Sequence, residues 1–186
     1  VWVEVDIRSG LPTFTIVGLG DAAVRESRDR ARAAIQNSGF KFPEGRVTAN
    51  LAPAFLRKAG PGFDSALALA VLAASGQIPT DELEAYAVFG ELSLGGEIRD
   101  SPGVLAVAEG ARRAGFARLI VPRERAREAA LVDGIAVVGV ADLREAAEIV
   151  MGADPRPLPA RAATDSPLAR PQPDLADVRG QAAAVF

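Results

Sequence analysis

A covalent hydrolase needs a nucleophile and a base to activate it, and this 186-residue chain offers few candidates for either. It has no cysteine and no histidine, which excludes thiolate nucleophiles, Ser-His-Asp triads and zinc sites built from Cys or His. Its only lysines are Lys41 and Lys58, and neither lies on a stretch that reads as a helix facing a serine. Ser65, just after the Gly60-Pro61-Gly62 turn, is the nearest substitute nucleophile; its plain reading is a polar residue in the first turn of an apolar helix. Glu91, Glu97 and Asp100 gather around Gly95-Gly96. Their oxygens suit a hard cation, although hairpin carboxylates are ordinarily solvated. Gly18-Leu19-Gly20 lacks the third glycine of a dinucleotide fingerprint. No Gly-Lys dipeptide occurs, so no G-x-x-x-x-G-K-[ST] phosphate loop lies within these residues.

Arginine is the more abundant resource. Arg25, Arg28 and Arg32 are spaced by three and four, which places them along one stripe of a helix, opposite Val24, Ala31 and Ile35. Arg57 and Lys58 follow in a later irregular stretch. The net charge is −3, but residues 1–58 carry nine Lys/Arg against six Asp/Glu, whereas residues 59–150 carry eight against fourteen. These five basic residues are therefore the candidate phosphate contacts, the alternative being a solvated face paired with Glu26 and Asp29.

The elements that must position these residues follow from periodicity. Residues 1–7 alternate as a half-buried strand, residues 13–17 form a β-branched run, and Ser9-Gly10-Leu11-Pro12 between them reads as the turn of a hairpin. Asp21 is placed to cap a helix over 22–38, with Gly39 to end it. A strand over 46–51 leads through residues 52–62 into a helix over 63–75 that is apolar nearly all round and belongs in the core. Strands are expected at 85–92, 119–121 and 135–140. Helices are expected from Ser101 and Pro102 to Gly115, over 123–131, and over 143–151 with Asp142 as cap. Alternation of this kind predicts an α/β or α+β domain over 1–151, a sheet covered by helices.

Six of the thirteen prolines fall in 153–173 with no hydrophobic period, which reads as a linker over 152–173, and 174–186 reads as the start of another folded unit. Val1 opens inside a strand pattern, so the start looks truncated. No apolar run approaches the ~20 residues of a membrane span and no secretory leader is present, so a soluble cytoplasmic protein is expected.

Three stretches carry a resemblance: residues 10–19, Gly-Leu-Pro-Thr-Phe-Thr-Ile-Val-Gly-Leu; residues 50–54 with 57–64; and residues 174–181, Asp-Leu-Ala-Asp-Val-Arg-Gly-Gln. All resemble the ComM/YifB group of Mg-chelatase-like proteins, and the similarity runs over essentially the whole chain. Gly20 departs from the group, where proline is usual.

The resemblance implies a Lon-protease-like N-terminal domain with a mixed sheet. In Lon-type proteases a serine nucleophile and a lysine base sit where matching places Gly62 and Leu105, so the resemblance implies a catalytically dead site in which Leu105 packs near the Gly62 turn. It also implies that residues 174–181 lead into an AAA+ ATPase module that would bind ATP and magnesium, no cofactor being expected in residues 1–186. The expected partners are that module, neighbouring subunits of a homo-oligomeric ring, a hexamer at full length, and DNA. The implied activity is that of an ATP-dependent helicase or branch-migration motor in recombination during natural transformation, with a partner-binding scaffold as the alternative.

Overall fold

The computed structural model describes residues 1–154, an α/β arrangement of small sheets and helices. The expected linker beyond residue 154 and the expected start of a second unit at 174–186 lie outside the described residues. Strand β1 (Trp2–Arg8), β2 (Thr13–Val17), helix α1 (Ala22–Asn37) and β3 (Arg46–Ala52) form the first layer. The sheet order is β1-β3-β2, with β1 antiparallel to β3 from Trp2↔Ala52 to Arg8↔Arg46 and β2 parallel to it from Thr13↔Arg46 to Val17↔Asn50.

The expected β1–β2 hairpin is therefore wrong, because β3 lies between the two strands. Four residues easily cross the ~10 Å between next-nearest strands. A Gly-Pro turn signal thus does not distinguish a tight hairpin from a jump over a central strand. The alternation of β3 explains its place: Val47, Ala49 and Leu51 are buried, whereas β1 exposes every second residue.

Helix α2 (Asp64–Ala74) buries Leu67, Ala68, Leu69, Val71, Leu72 and Ala73, as its lack of a polar face requires. It packs on α1, on β1 and on α6 (Leu143–Val150). Between them come a short helix α3 (Thr80–Leu83), which the periodicity does not reveal, and β4 (Tyr86–Val88). The strand expected over 85–92 is split. After β4 the chain leaves its sheet so that the carbonyl of Gly90 accepts the Ser65 amide and Gly90 donates to Gly62, and β5 (Glu91–Leu92) then pairs with β6 (Ile98–Arg99) across the Gly95-Gly96 turn.

Helix α4 (Val104–Arg113) begins later than expected. Ser101 does not cap it; its hydroxyl instead donates to Arg99 and accepts from the Glu91 amide. Strand β7 (Arg118–Pro122), a 3-10 turn at Arg123–Arg125, α5 (Ala126–Ala129) and β8 (Ala136–Val140) complete a second, all-parallel sheet ordered β4-β7-β8. The helix expected over 123–131 is thus only a short turn followed by α5. Helices α4 and α5 cover this sheet around Val104, Ala108, Leu119 and Val121, while the larger core gathers α1, α2, α6 and the first sheet.

Candidate functional site

Helix α1 carries the arginine stripe where the spacing places it. Asp21 caps the helix by accepting the Val24 amide at 2.9 Å, and that bond holds its carboxyl below the usual range. Val24, Ser27, Ala31, Ala34 and Ile35 face inward, which turns Arg25, Arg28 and Arg32 outward to solvent. Arg28 grips Asp29 through two bonds of 3.1 Å, and the guanidinium lowers that carboxyl's pKa. Arg25 donates to the Gly20 carbonyl at 3.0 Å, and Arg32 lies 5.1 Å over the Phe42 ring. Arg28, Asp29 and Arg32 form one wall of an open groove of about 430 Å³ whose other wall is Pro12, Thr13, Phe14 and Thr15 at the start of β2. Among the described residues that strand pairs only on its β3 side.

Arg57 is exposed near Asp21, but Lys58 departs from the expected surface placement. It is 1% exposed, among the largest fully buried side chains, and its amine donates to the Pro53 carbonyl. The reason lies in the backbone: Lys58 donates to Leu19 and accepts from Asp21, and this bridge to residue 20 turns the side chain beneath the loop. A phosphate cannot reach an amine so placed, and four of the five candidate basic residues remain at the surface.

The residues matched to a protease dyad fare differently from each other. A Cβ built on Gly62 would lie 2.3 Å from Phe89 Cε2, so the Phe89 ring takes the space a serine side chain would need. Leu105 is not buried as expected; it is 42% exposed. Because α4 starts at Val104, its buried stripe falls on Val104, Ala108 and Ala111, and Leu105 is rotated outward. Ser65 is fully buried and donates its hydroxyl to the Gly90 carbonyl at 3.0 Å. Among the described hydrogen bonds none joins it to a lysine. Of the three hairpin carboxylates, Asp100 is bound by Arg125 and held below its ordinary pKa by that hydrogen bond, while Glu97 points to solvent.

Sequence reasoning missed one buried and well-connected polar group. Asp64, fully buried at the start of α2, accepts from Arg30 Nε at 2.6 Å, from the Leu92 amide at 3.1 Å and from the Ser27 hydroxyl. Arg30, Ser27 and Asp64 thus tie α1, α2 and β5 together. The only signal was a lone acid opening an apolar helix, where an aspartate also suits the N-terminal end of the helix dipole.

Comparison with known proteins places the chain. The family model for subunit ChlI of Mg-chelatase matches residues 3–125. A Mycobacterium tuberculosis protein is 45% identical over 186 residues, all of this chain and 37% of the relative. YifB of Escherichia coli is 40% identical over 183 residues, 97% of this chain and 35% of the relative. Competence protein ComM of Haemophilus influenzae is 35% identical over 184 residues, 97% of this chain and 36% of the relative. The chain spans little more than a third of the length of these relatives. It belongs to the Mg-chelatase ChlI-like family, in the group that includes YifB and ComM.

Proposed function

We propose that residues 1–151 are a non-catalytic accessory domain of a ring-forming, ATP-driven DNA motor, a ComM-like protein that acts in recombination and works in the cytoplasm. The observation that carries the DNA reading is the arginine wall of the β2–α1 groove, where Arg28 and Arg32 stand exposed with Arg25 continuing the stripe. A relative bearing the name competence protein supports the setting. ATP and magnesium belong, in this reading, to an AAA+ module elsewhere in the longer protein, and the ring to its assembly. Peptide hydrolysis is no part of the role in this reading, since Gly62 has no hydroxyl and the Ser65 hydroxyl is bonded to the Gly90 carbonyl with no basic side chain bonded to it among the described residues. No helix among the described residues is long and apolar enough to cross a membrane.

Phosphate contacts release counterions, so each one lost flattens the dependence of affinity on salt by ~0.9 on a log–log scale for duplex DNA. The double variant Arg28→Ala, Arg32→Ala is expected to bind DNA more weakly and with a slope lowered by ~2. An unchanged slope removes DNA from this groove. A second reading, a partner-binding scaffold without DNA contact, is favoured by the exposed Phe55 and Leu19 beyond the far end of β2.

A further inference from the structure

Isolated exposed hydrophobic side chains are ordinary, but a group of them on one rigid ledge is not. Val17, Leu19, Phe55 and Leu56 are 45%, 58%, 86% and 47% exposed. The register puts them at one end of the first sheet, where β2 and β3 both finish. Two loops leave from that end and are stitched together: Lys58 donates its amide to Leu19, Asp21 donates to Lys58, and Gly60 donates to the Asp21 carboxylate at 3.2 Å. The buried Lys58 amine closes the second loop from beneath through Pro53.

Leu19 is the point that the fold alone does not explain. Its φ of 58° is the only positive value on a non-glycine among the described residues, in a region where glycine or asparagine is at ease and a leucine is strained. Its side chain is nonetheless presented to solvent. Strained, exposed and apolar together describe a contact held ready in advance, which lowers the ordering cost of binding.

We propose that this ledge is the seat of a later segment of the same chain, residues 174–178. The ledge is edged by cations, since Arg25 binds the Gly20 carbonyl and Arg57 stands near Asp21. Residues 174–178 read Asp-Leu-Ala-Asp-Val, two acids spaced by three, each followed by an aliphatic residue. Asp174 and Asp177 complement the two arginines while Leu175 and Val178 complement the apolar floor. The 19 residues numbered 155–173 have a covalent reach of at most ~60 Å at ~3 Å each. The radius of gyration of a domain of this size is ~15 Å, so every face is within reach. A second copy docking by the same ledge would set Arg25 and Arg57 against their own counterparts, and DNA phosphates have no use for four aliphatic and aromatic side chains.

Hydrogen exchange on the 186-residue chain tests the proposal against the double variant Asp174→Arg, Asp177→Arg. The amides of residues 18–20 and 54–60 are expected to exchange several-fold faster in the variant, while those of α2 stay unchanged, which shows that the fold is intact. Equal exchange in the two chains overturns the proposal. So does protection of the ledge that rises with protein concentration, the mark of a second copy, or that appears only when DNA is added. The salt slope of the Arg28, Arg32 variant is read independently, so the DNA reading and the ledge can fail separately.

Discussion

Asp64 is fully buried, so its charge depends on Arg30, Ser27 and the Leu92 amide. Removing one partner of a buried pair leaves the other uncompensated. Asp64→Ala is expected to destabilise the domain by about 3–5 kcal/mol in urea denaturation. Arg30→Ala should cost less, because Arg30 is partly exposed while Asp64 keeps two other donors. Equal losses would show that the guanidinium alone holds the site. Gly62 makes the opposite case, of a residue defined by what cannot be added. Gly62→Ser drives a side chain into the Phe89 ring and is expected to cost about 1–3 kcal/mol as overpacking. A smaller residue at 89 should recover part of that loss, and no casein cleavage should appear with or without it, since a hydroxyl without a base is barely nucleophilic. That Gly62 offers no hydroxyl and Leu105 no amine was legible from residue types alone. The Asp64 network was not, because its three side chains come from positions 27, 30 and 64 and only the fold brings them together.

Elements were legible where periodicity and capping agreed. Asp21 and Asp142 cap α1 and α6 as their sequence positions imply, and Gly39 follows α1 with a positive φ. They were misread where a local signal had two outcomes. Ser101 could cap a helix or brace a hairpin, and it braces the hairpin. Lys58 sits in a run that composition marks as surface, yet a backbone bridge to residue 20 buries it. Gly18 shows why that bridge is possible: its φ of 109° and its approach to the Leu51 carbonyl leave no room for a Cβ. The α4 helix offers a test at this scale. Glu109 is bound by Arg112 and then Arg113, which hold its carboxyl at about 2 against an ordinary 4.5. A carboxylate depressed in the folded state contributes stability that is present above ~4.5 and is lost as pH falls toward ~2. Glu109→Gln should therefore flatten the pH dependence of stability in that window, by lowering stability slightly near neutral pH and leaving it unchanged below ~2. A profile identical to that of the unaltered chain would show that the pair contributes nothing, as many surface pairs do.

At the scale of the molecule, two sheets share one interior because α2 and α6 pass between them. Helix α6 buries Leu143, Ala146, Ala147, Ile149 and Val150 against α2 and β8, so the packed core runs at least to Val150. A chain ending at Asp154 should keep cooperative thermal unfolding, whereas one ending at Ala141 strips that cover from α2 and should not fold. The α/β class was legible because strand and helix periods alternate; the strand order was not, since nothing local says that β3 enters between β1 and β2. Trypsin gives an independent check on the same limit. Within residues 153–173 the arginines are Arg156, Arg161 and Arg170, and proline follows the first and last; trypsin does not cut before proline, so Arg161 is the one site there that its specificity allows. The domain offers exposed Arg57 beside the buried Lys58, but cleavage requires that loop to open, and there the bonds of Lys58 to Leu19, Asp21 and Pro53 must break first. Cleavage at Arg161 should accordingly precede any at Arg57, leaving a product that still unfolds cooperatively. A first cut at Arg57 would mean that the ledge opens more readily than its hydrogen bonds imply.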